Sequence, residues 1–393
     1  MDFLRFRNIS PDTLGQLLLK RCYYSYSNNA IGYIENGKIL SLTYRDYFEN
    51  IQALTLGLKS LGFESQNALG ILGSTCKEWH LLDMAGLLSQ GIVVPIYHTY
   101  TPKDIEYIIN HSQCTILCLE DEKQLKKIVE IQEQLPNLKY IITFKEIPYR
   151  YRRKIETKIK VLSFEQLKII GLKNSIDMQD KLVESVLSQS PKNIASIIYT
   201  SGTTGKPKGA VITQEAFCAM LRNVDQTVNG RFTENDRILT WLPLSHVYGR
   251  CDSLLLLVFG WEMIFAEDMD KLAQNFTLVK PTICLAVPRI FEKIRAKIIA
   301  KMEKGVLPKK AIFDWASRVS SNYHNKVHNN IRPTSNEILQ HRMANRMVWN
   351  HIYKGLGGNI RYIISGGAPL SPELMLFFRN ANLTILEGYG LTE

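Results

Sequence analysis

Residues 199–209 read Tyr-Thr-Ser-Gly-Thr-Thr-Gly-Lys-Pro-Lys-Gly, and this stretch carries the strongest structural signal in the 393-residue chain. Its glycines allow the backbone to turn so that several N–H groups point at one anion. Side chains around those glycines add further donors. They are the hydroxyl groups of Thr200, Ser201, Thr203 and Thr204 and the ammonium groups of Lys206 and Lys208. The stretch therefore predicts a phosphate-binding loop, with Gly202 and Gly205 at its centre.

This loop differs from the two common phosphate-binding patterns. The P-loop requires Gly-x4-Gly-Lys-Ser/Thr, whereas Pro207 stands five positions after Gly202. The dinucleotide fingerprint opens a helix, whereas apolar runs typical of strands, Ser196–Tyr199 and Ala210–Ile212, flank this loop on both sides. A flexible surface loop is not expected between two apolar strands, so we interpret the stretch as a dedicated nucleotide site.

Short apolar runs alternate with helical stretches along most of the chain, which predicts an α/β fold of layered sheets flanked by helices. The runs typical of strands are 68–72, 91–96, 115–119, 140–143, 237–241, 282–286 and 361–364, and the helical stretches include 44–61, 77–88 and 102–111. The polar stretch 147–192 is weakly periodic. We expect it to link two lobes, at about 1–190 and 191–393.

The composition indicates a cytoplasmic protein. The N-terminus lacks the pattern of a signal peptide, and the longest charge-free apolar run, Leu254–Trp261, is far shorter than the ~20 residues that span a bilayer. Of seven cysteines, only Cys114 and Cys118 lie close together in the sequence. Because no further metal ligands stand near them, we expect them to be buried small hydrophobic residues of one strand.

Positive charge is concentrated in two segments. The net charge is 48 − 37 = +11, and residues 293–332 alone hold ten Lys/Arg and two acids, which gives 10 − 2 = +8. The second segment contains Arg150, Arg152, Arg153, Lys154, Lys158 and Lys160. Such segments attract phosphates, and an anionic membrane surface is one candidate partner, although a solvated surface without a partner would show the same pattern. No nucleic-acid partner is expected, because the pattern of an RNA-recognition strand and zinc-ligand spacing are both missing.

Four segments, in order, resemble the adenylate-forming (AMP-binding) acyl-CoA synthetase family. They are Thr200–Gly209, Leu242–Tyr248 (Leu-Pro-Leu-Ser-His-Val-Tyr), Ser365–Leu370 (Ser-Gly-Gly-Ala-Pro-Leu) and Tyr389–Glu393 (Tyr-Gly-Leu-Thr-Glu). Within the family the chain looks most like the long-chain fatty acid–CoA ligases. This narrower resemblance rests on weaker features, which are Ala286–Ile294, the basic insert after it, and Val94–Tyr97. Two departures are Gln214, where many relatives carry His, and Gln66-Asn67, in place of a common Gly-Asp turn.

The resemblance implies ATP-dependent activation of a long-chain fatty acid. The acid would form an acyl-adenylate and then an acyl-CoA, with release of pyrophosphate and AMP. ATP, Mg²⁺ and coenzyme A, the last as a substrate, would be required. Two alternatives remain open: activation of an aryl, short-chain or amino acid for coenzyme A or a carrier protein, and a non-catalytic nucleotide- or lipid-binding remnant.

The resemblance also assigns roles to residues. His246 would orient the acyl carboxylate, Thr392 would bond the α-phosphate and Glu393 would hold Mg²⁺. Adenine would lie against the segment that contains Gly366, Gly367 and Ala368 and against Gly388, with Tyr389 stacked on it. The apolar stretch Ser253–Phe265 fits an acyl-pocket lining and a hydrophobic core equally well.

The end of the chain carries a further expectation. It stops at the Tyr389–Glu393 pentapeptide, directly after an apparent strand, Leu383–Leu386. We therefore expect the large N-terminal adenylation domain of the family, truncated at its C-terminal end and without the mobile C-terminal domain.

Overall fold

The computed structural model describes residues 11–155, 158–173, 175–200, 206–303 and 307–392. The chain folds into two compact units. Unit 1 comprises Met1–Asn235, Trp241–Phe265 and Thr392–Glu393, and unit 2 comprises Asp236–Thr240 and Ala266–Leu391. Both contain parallel strands flanked by helices, so the predicted α/β class is confirmed.

A seven-stranded sheet forms the centre of unit 1. The strands of the unit are β1 (Asn29–Glu35), β2 (Lys38–Thr43), β3 (Ala68–Gly73), β4 (Ile92–Tyr97), β5 (Cys114–Leu119), β6 (Tyr140–Thr143), β7 (Lys160–Ser163), β8 (Ile194–Thr200), β9 (Lys208–Thr213) and β11 (Glu262–Phe265). The sheet has the order β7-β6-β5-β3-β4-β8-β9, and only β8 and β9 pair antiparallel. Strand β1 pairs with β11 and β2.

Helices cover the sheet of unit 1 on both faces, which explains why its central strands are continuous apolar runs. The helices of the unit are α1 (Leu14–Tyr24), α2 (Tyr44–Ser60), α3 (Lys77–Leu88), α4 (Pro102–His111), α5 (Glu122–Ile131), α6 (Tyr149–Arg152), α7 (Phe164–Lys173), α8 (Ser175–Leu187), α9 (Gln214–Val228), α10 (Val247–Leu254) and α11 (Leu256–Phe259). Helix α3 is buried from Trp79 to Leu88, as expected for a helix with apolar residues on every side. It is the central helix of the site described below.

The stretch 147–192 is not a linker. It contributes β7, which pairs with β6, and α7, which packs closely on α2. A Cβ on Gly171 would lie 1.8 Å from the carbonyl oxygen of Ala53, so only glycine permits this approach. The sequence expectation was wrong because α7 exposes Ile169 and Leu172 while it buries Gly171, so its apolar residues do not fall on one face and its periodicity is weak.

Unit 2 has four parallel strands in the order β14-β13-β12-β10. They are β10 (Arg237–Thr240), β12 (Ile283–Ala286), β13 (Tyr362–Gly366) and β14 (Thr384–Gly388), and its helices are α12 (Leu272–Val279), α13 (Pro288–Glu303), α14 (Leu307–His328), α15 (Ser335–Ala344), α16 (Asn350–Gly355) and α17 (Pro372–Asn380). Asp236 connects the beginnings of β10, β12 and β13 through hydrogen bonds. Its carboxylate accepts from Arg361 Nη2 at 2.6 and 2.8 Å and from Thr282 Oγ1 at 2.6 Å.

The remaining expectations for local structure are confirmed. Every stretch predicted as a strand or helix forms one, with bounds that differ by at most two residues. Cys114 and Cys118 are buried in β5, and burial raises the pKa of the Cys114 thiol to about 12. Within the described ranges no helix combines the length and the apolar character needed to cross a bilayer.

Candidate functional site

The phosphate loop connects two strands of a β-hairpin in unit 1. Thr200 at the end of β8 pairs with Lys208 at the start of β9, and Tyr199 pairs with Gly209. The loop therefore leaves and re-enters the sheet at one point, as its apolar flanks predicted. Its central residues, Ser201, Gly202, Thr203, Thr204 and Gly205, lie outside the described residues, so their contacts with phosphate remain predictions.

The base of this hairpin is rigid. The Tyr199 side chain is buried, and its hydroxyl lies 2.7 Å from His111 Nδ1, at the end of α4. Burial raises the pKa of the Tyr199 phenol, so the group stays protonated at neutral pH. A Cβ on Gly209 would lie 2.7 Å from Ile197, so the two strands pack closely at this point. The sequence did not predict the contact with His111, which is 88 residues away.

A basic cavity of about 450 Å³ opens beside the described part of the loop. Its lining residues are Tyr107, His111, Lys206, Pro207, Lys208 and Gly209. Lys206 Nζ lies 5.6 Å from the centroid of the Tyr107 ring, at the range of a cation–π contact, and the side chain of Lys208 is exposed. Two accessible ammonium groups at the mouth of a hairpin suit a polyphosphate, because each can bond a phosphate oxygen without a fixed geometry.

His246 begins helix α10 and is solvent-exposed. Its Nδ1 accepts a hydrogen bond of 3.1 Å from the backbone N–H of Tyr248, so the imidazole is the N-cap of the helix. Desolvation lowers the pKa of His246, which favours the neutral ring. A neutral ring whose Nδ1 accepts must carry its proton on Nε2. His246 can therefore donate from Nε2 to an oxygen of a bound carboxylate.

The loop before His246 is held by a residue that sequence reasoning missed. Thr75 Oγ1, in the turn before α3, donates to Leu242 O at 2.7 Å and accepts from Leu244 N–H at 3.2 Å. Gly249 permits a second close contact, because a Cβ there would lie 2.1 Å from the carbonyl oxygen of Pro243. No helix was predicted around Gly249, so its place inside α10 was not anticipated from the sequence. No sequence signal links Thr75 to this loop.

In unit 2, the residues predicted to lie against adenine come together at one end of β13 and β14. Gly366 and Gly388 are directly paired in the sheet. Gly367 has φ of +81°, which favours glycine, and Ala368 beside it is exposed. Tyr389 is 93% exposed. The end of these strands thus presents open backbone and an accessible aromatic ring, which suits a planar base.

Glu387 supports this edge, although sequence reasoning did not single it out. Its Oε1 accepts from the Leu370 N–H at 3.1 Å, which ties the end of the Gly-Gly-Ala-Pro segment to β14. Thr392 is half-buried and belongs to unit 1, whereas Glu393 lies outside the described residues. The predicted roles of both residues therefore stay predictions.

The sequence pattern of the AMP-binding enzyme family matches residues 26–393. The chain belongs to this family. A long-chain-fatty-acid–CoA ligase of Xenopus laevis is similar at 29% identity over 90% of this chain and 47% of its own length. The chain spans about half the length of the curated relatives it matches.

Two solved structures of adenylating enzymes share the fold. The adenylation domain of a carboxylate reductase from Mycobacterium chelonae has a TM-score of 0.71 at 20% identity, covering all of this chain and 59% of that one. An anthranilate–CoA ligase in complex with anthranoyl-AMP has a TM-score of 0.66 at 18% identity, covering 97% of this chain and 60% of that one. The chain therefore has the fold of the N-terminal domain of adenylate-forming enzymes.

Mg²⁺ remains a prediction for this AMP-binding chain, because Glu393, the residue expected to hold it, lies outside the described residues. Within the described residues no group of three His, Cys, Asp or Glu side chains could hold a metal. Mg²⁺ commonly binds through one or two carboxylates together with substrate phosphates and water, so it does not require such a group. Glu393 is the one carboxylate that the family resemblance offers.

The apolar stretch Ser253–Phe265 packs as core of unit 1. Phe259 and Trp261 are 4.9 Å apart between ring centroids, Phe232 contacts both, and all three are buried. Tyr44 donates to the carbonyl oxygens of Leu256 and Trp261. The core interpretation of the sequence accounts for these contacts without an acyl chain.

Proposed function

We propose that this chain carries the adenylating site of an ATP-dependent long-chain fatty acid–CoA ligase. The acid is converted to an acyl-adenylate with release of pyrophosphate, and coenzyme A then displaces AMP. The hairpin loop supports the proposal most, because Thr200 and Lys208 pair at its mouth and hold a run of hydroxyls, glycines and lysines together.

The first half-reaction joins two anions. A carboxylate oxygen forms a bond to the α-phosphorus while the bond from that phosphorus to the β-phosphate bridging oxygen breaks, so alignment and charge neutralisation dominate the catalysis. Lys206 and Lys208 neutralise phosphate charge, and His246 Nε2–H orients the carboxylate. Glu393 would hold Mg²⁺, which when bound would supply further positive charge to the phosphates.

Replacing Lys208 with alanine should weaken ATP binding to the 393-residue chain. A hydrogen bond to a charged group contributes on the order of 1.5–3 kcal/mol, so we expect Kd to rise roughly tenfold or more. Thr204→Val should act in the same direction. Titration calorimetry measures both. Lys192→Ala is the matched control, since Lys192 is an exposed lysine just before β8. Equal affinities for all variants would contradict the assignment of the loop.

Substrate class is tested with a series of acids in a pyrophosphate-release assay. If the acyl chain is buried, each added CH₂ contributes about 0.8 kcal/mol, which is about fourfold in kcat/KM. Four added carbons should then raise kcat/KM about 200-fold, as long as the pocket is long enough to bury them. Preference for benzoates, short acids or amino acids would instead support the aryl, short-chain or amino-acid activity, which the shared fold with an anthranilate–CoA ligase keeps open.

We also propose that unit 2 binds an anionic membrane surface. The basic segment 293–332 lies mainly on α13 and α14. Phe313, an apolar residue of this segment, packs on Trp349 with ring centroids 5.8 Å apart. Other apolar side chains are exposed nearby in the sequence: Val327, Ile331, Leu339, Met343 and Met347. Leu339 and Met343, both on α15, are four residues apart and therefore share one helical face.

The chain should co-sediment with anionic vesicles at low salt and dissociate at high salt. Each Lys or Arg near such a surface contributes about 1 kcal/mol, screened by salt. Lys309→Glu/Lys310→Glu, at two exposed positions of α14, should reduce binding, whereas Lys103→Glu, on α4 of unit 1, should not. Equal binding to neutral and anionic vesicles would count against the proposal.

A further inference from the structure

A buried ion pair lies one helical turn beyond His246, and the proposed chemistry does not use it directly. Arg250 Nη2 is 2.5 Å from Asp83 Oδ1, and both side chains are fully shielded from solvent. Arg250 belongs to α10, and its backbone N–H donates to the His246 carbonyl at 3.0 Å. Asp83 belongs to the buried helix α3. The pair therefore joins the helix that begins at His246 to the core of unit 1.

We expect this pair to contribute little to the free energy of unfolding, because the cost of burying two charges offsets their attraction. Asp83 Oδ2, Arg250 Nε and Arg250 Nη1 have no hydrogen-bond partner among the described residues. Burial raises the pKa of Asp83 to about 6 even though Arg250 opposes the shift. Buried ion pairs of this kind are often no more stabilising than apolar side chains of equal volume. A geometric role explains such a pair better than a stabilising one.

Two of the side chains near Arg250 are uncharged. Arg250 lies with its guanidinium carbon 5.3 Å from the centroid of the buried Phe217 ring. His80, one turn before Asp83 on α3, has its Nε2 2.7 Å from the Tyr47 hydroxyl. Burial, and secondly the charge of Arg250, lower the pKa of His80 to about 3, so His80 is neutral. The Phe217 ring and the neutral His80 imidazole thus lie close to Arg250.

A second contact from the same region holds the other end of the His246 loop. Thr75, two residues before α3, bonds the backbone at Leu242 and Leu244. The loop then turns through a hydrogen bond of 2.9 Å from His246 N–H to the Pro243 carbonyl. Contacts from α3 and the turn before it therefore fix the chain on both sides of His246.

We propose that Thr75, Asp83 and Arg250 are positioning residues that hold the imidazole of His246 in its Nδ1-accepting orientation for adenylation. The kinetic part of this inference rests on the proposed function. The structural part does not, because the orientation and tautomer of His246 can be measured without any reaction. None of the three side chains needs to touch a substrate.

The tautomer of His246 is the first measurement. Nitrogen NMR of the 393-residue chain with labelled histidine, with the signal assigned by its loss in His246→Asn, should find the proton on Nε2. Thr75→Val removes a donor and an acceptor at nearly constant volume, and should produce a mixture of tautomers. Thr55→Val is the matched control: it removes a buried hydroxyl that donates to Ile51 O in α2 at 2.8 Å and to Ala85 O in α3 at 3.3 Å, and whose hydrogen-bond partners do not include the His246 loop. A Thr75→Val spectrum identical to that of Thr55→Val would overturn the role of Thr75.

The ion pair is tested by removing both charges together. Asp83→Leu/Arg250→Met should melt at or above the wild-type temperature, because no unpaired charge remains. It should nevertheless lose the single tautomer. Its kcat for pyrophosphate release should fall roughly tenfold to hundredfold, with KM for ATP within about twofold, since small displacements of a reacting group cost up to about 10²-fold.

Two outcomes separate the inference from the proposed function. A double variant with the wild-type tautomer and rate would reduce the pair to a structural contact and overturn the inference. If the wild-type protein activates no acid, the proposed function fails, while the tautomer spectra still decide whether these residues position His246. Asp83→Asn alone, which leaves Arg250 unpaired, should lower the melting temperature as well as change the tautomer.

Discussion

Replacing His246 with alanine is expected to lower the rate of acyl-adenylate formation about 10²–10³-fold and to leave ATP affinity within about twofold. The rate depends on the Nε2–H donor, and loss of one preorganised donor typically has an effect of this size. ATP affinity should not change, because the nucleotide is held elsewhere in our assignment. Alanine also removes the N-cap of α10, and loss of a cap costs about 1 kcal/mol of stability.

His246→Asn separates the two roles of this residue. An asparagine side chain is among the best N-caps, so its oxygen can replace Nδ1 as the acceptor for the Tyr248 N–H. It has no group at the position of Nε2. We expect His246→Asn to melt at the wild-type temperature and to lose as much activity as His246→Ala. Wild-type pyrophosphate release by His246→Asn would show that the imidazole only caps the helix.

The second large effect is expected from Gly249→Ala. Helix propensity alone favours alanine at an interior helical position, by roughly 0.5–1 kcal/mol. The added Cβ would lie 2.1 Å from the Pro243 carbonyl oxygen, and backbone atoms must move to relieve that contact. We expect a loss of about 1–3 kcal/mol in stability, typical of overpacking. The displaced loop carries His246, so adenylation should also slow by up to about 10²-fold.

Gly355→Ala is the matched control for this steric effect. Gly355 is also helical, in α16, and an added Cβ there meets no atom within 4 Å. That variant should be as stable as the wild type or slightly more stable. Thermal unfolding of both variants measures the difference. If Gly249→Ala and Gly355→Ala melt together, the contact between Gly249 and Pro243 does not constrain the loop.

Sequence patterns predicted most of the local structure because local structure depends on near neighbours. Strands β3, β4 and β5 are apolar on both faces, and so they appear in the sequence as uninterrupted runs. The interpretation of 147–192 as a linker was wrong because the packing of this stretch depends on a contact with a distant segment. The place of α7 against α2 depends on a glycine that meets a backbone carbonyl more than one hundred residues earlier, and amphipathic periodicity does not report such a contact.

The sequence by itself determined the family, the α/β class and the chemical types of the candidate site, because motifs such as Thr200–Gly209 and Leu242–Tyr248 are contiguous and carry their donors within a few residues. Only the tertiary structure decided how His246 is held. Thr75 and Leu242 are 167 residues apart, as are Asp83 and Arg250, and each contact forms only when these distant segments of unit 1 fold against each other. Spacing along a chain records helical and strand periods, whereas contacts between distant segments depend on how buried surfaces fit, and no local pattern encodes that fit.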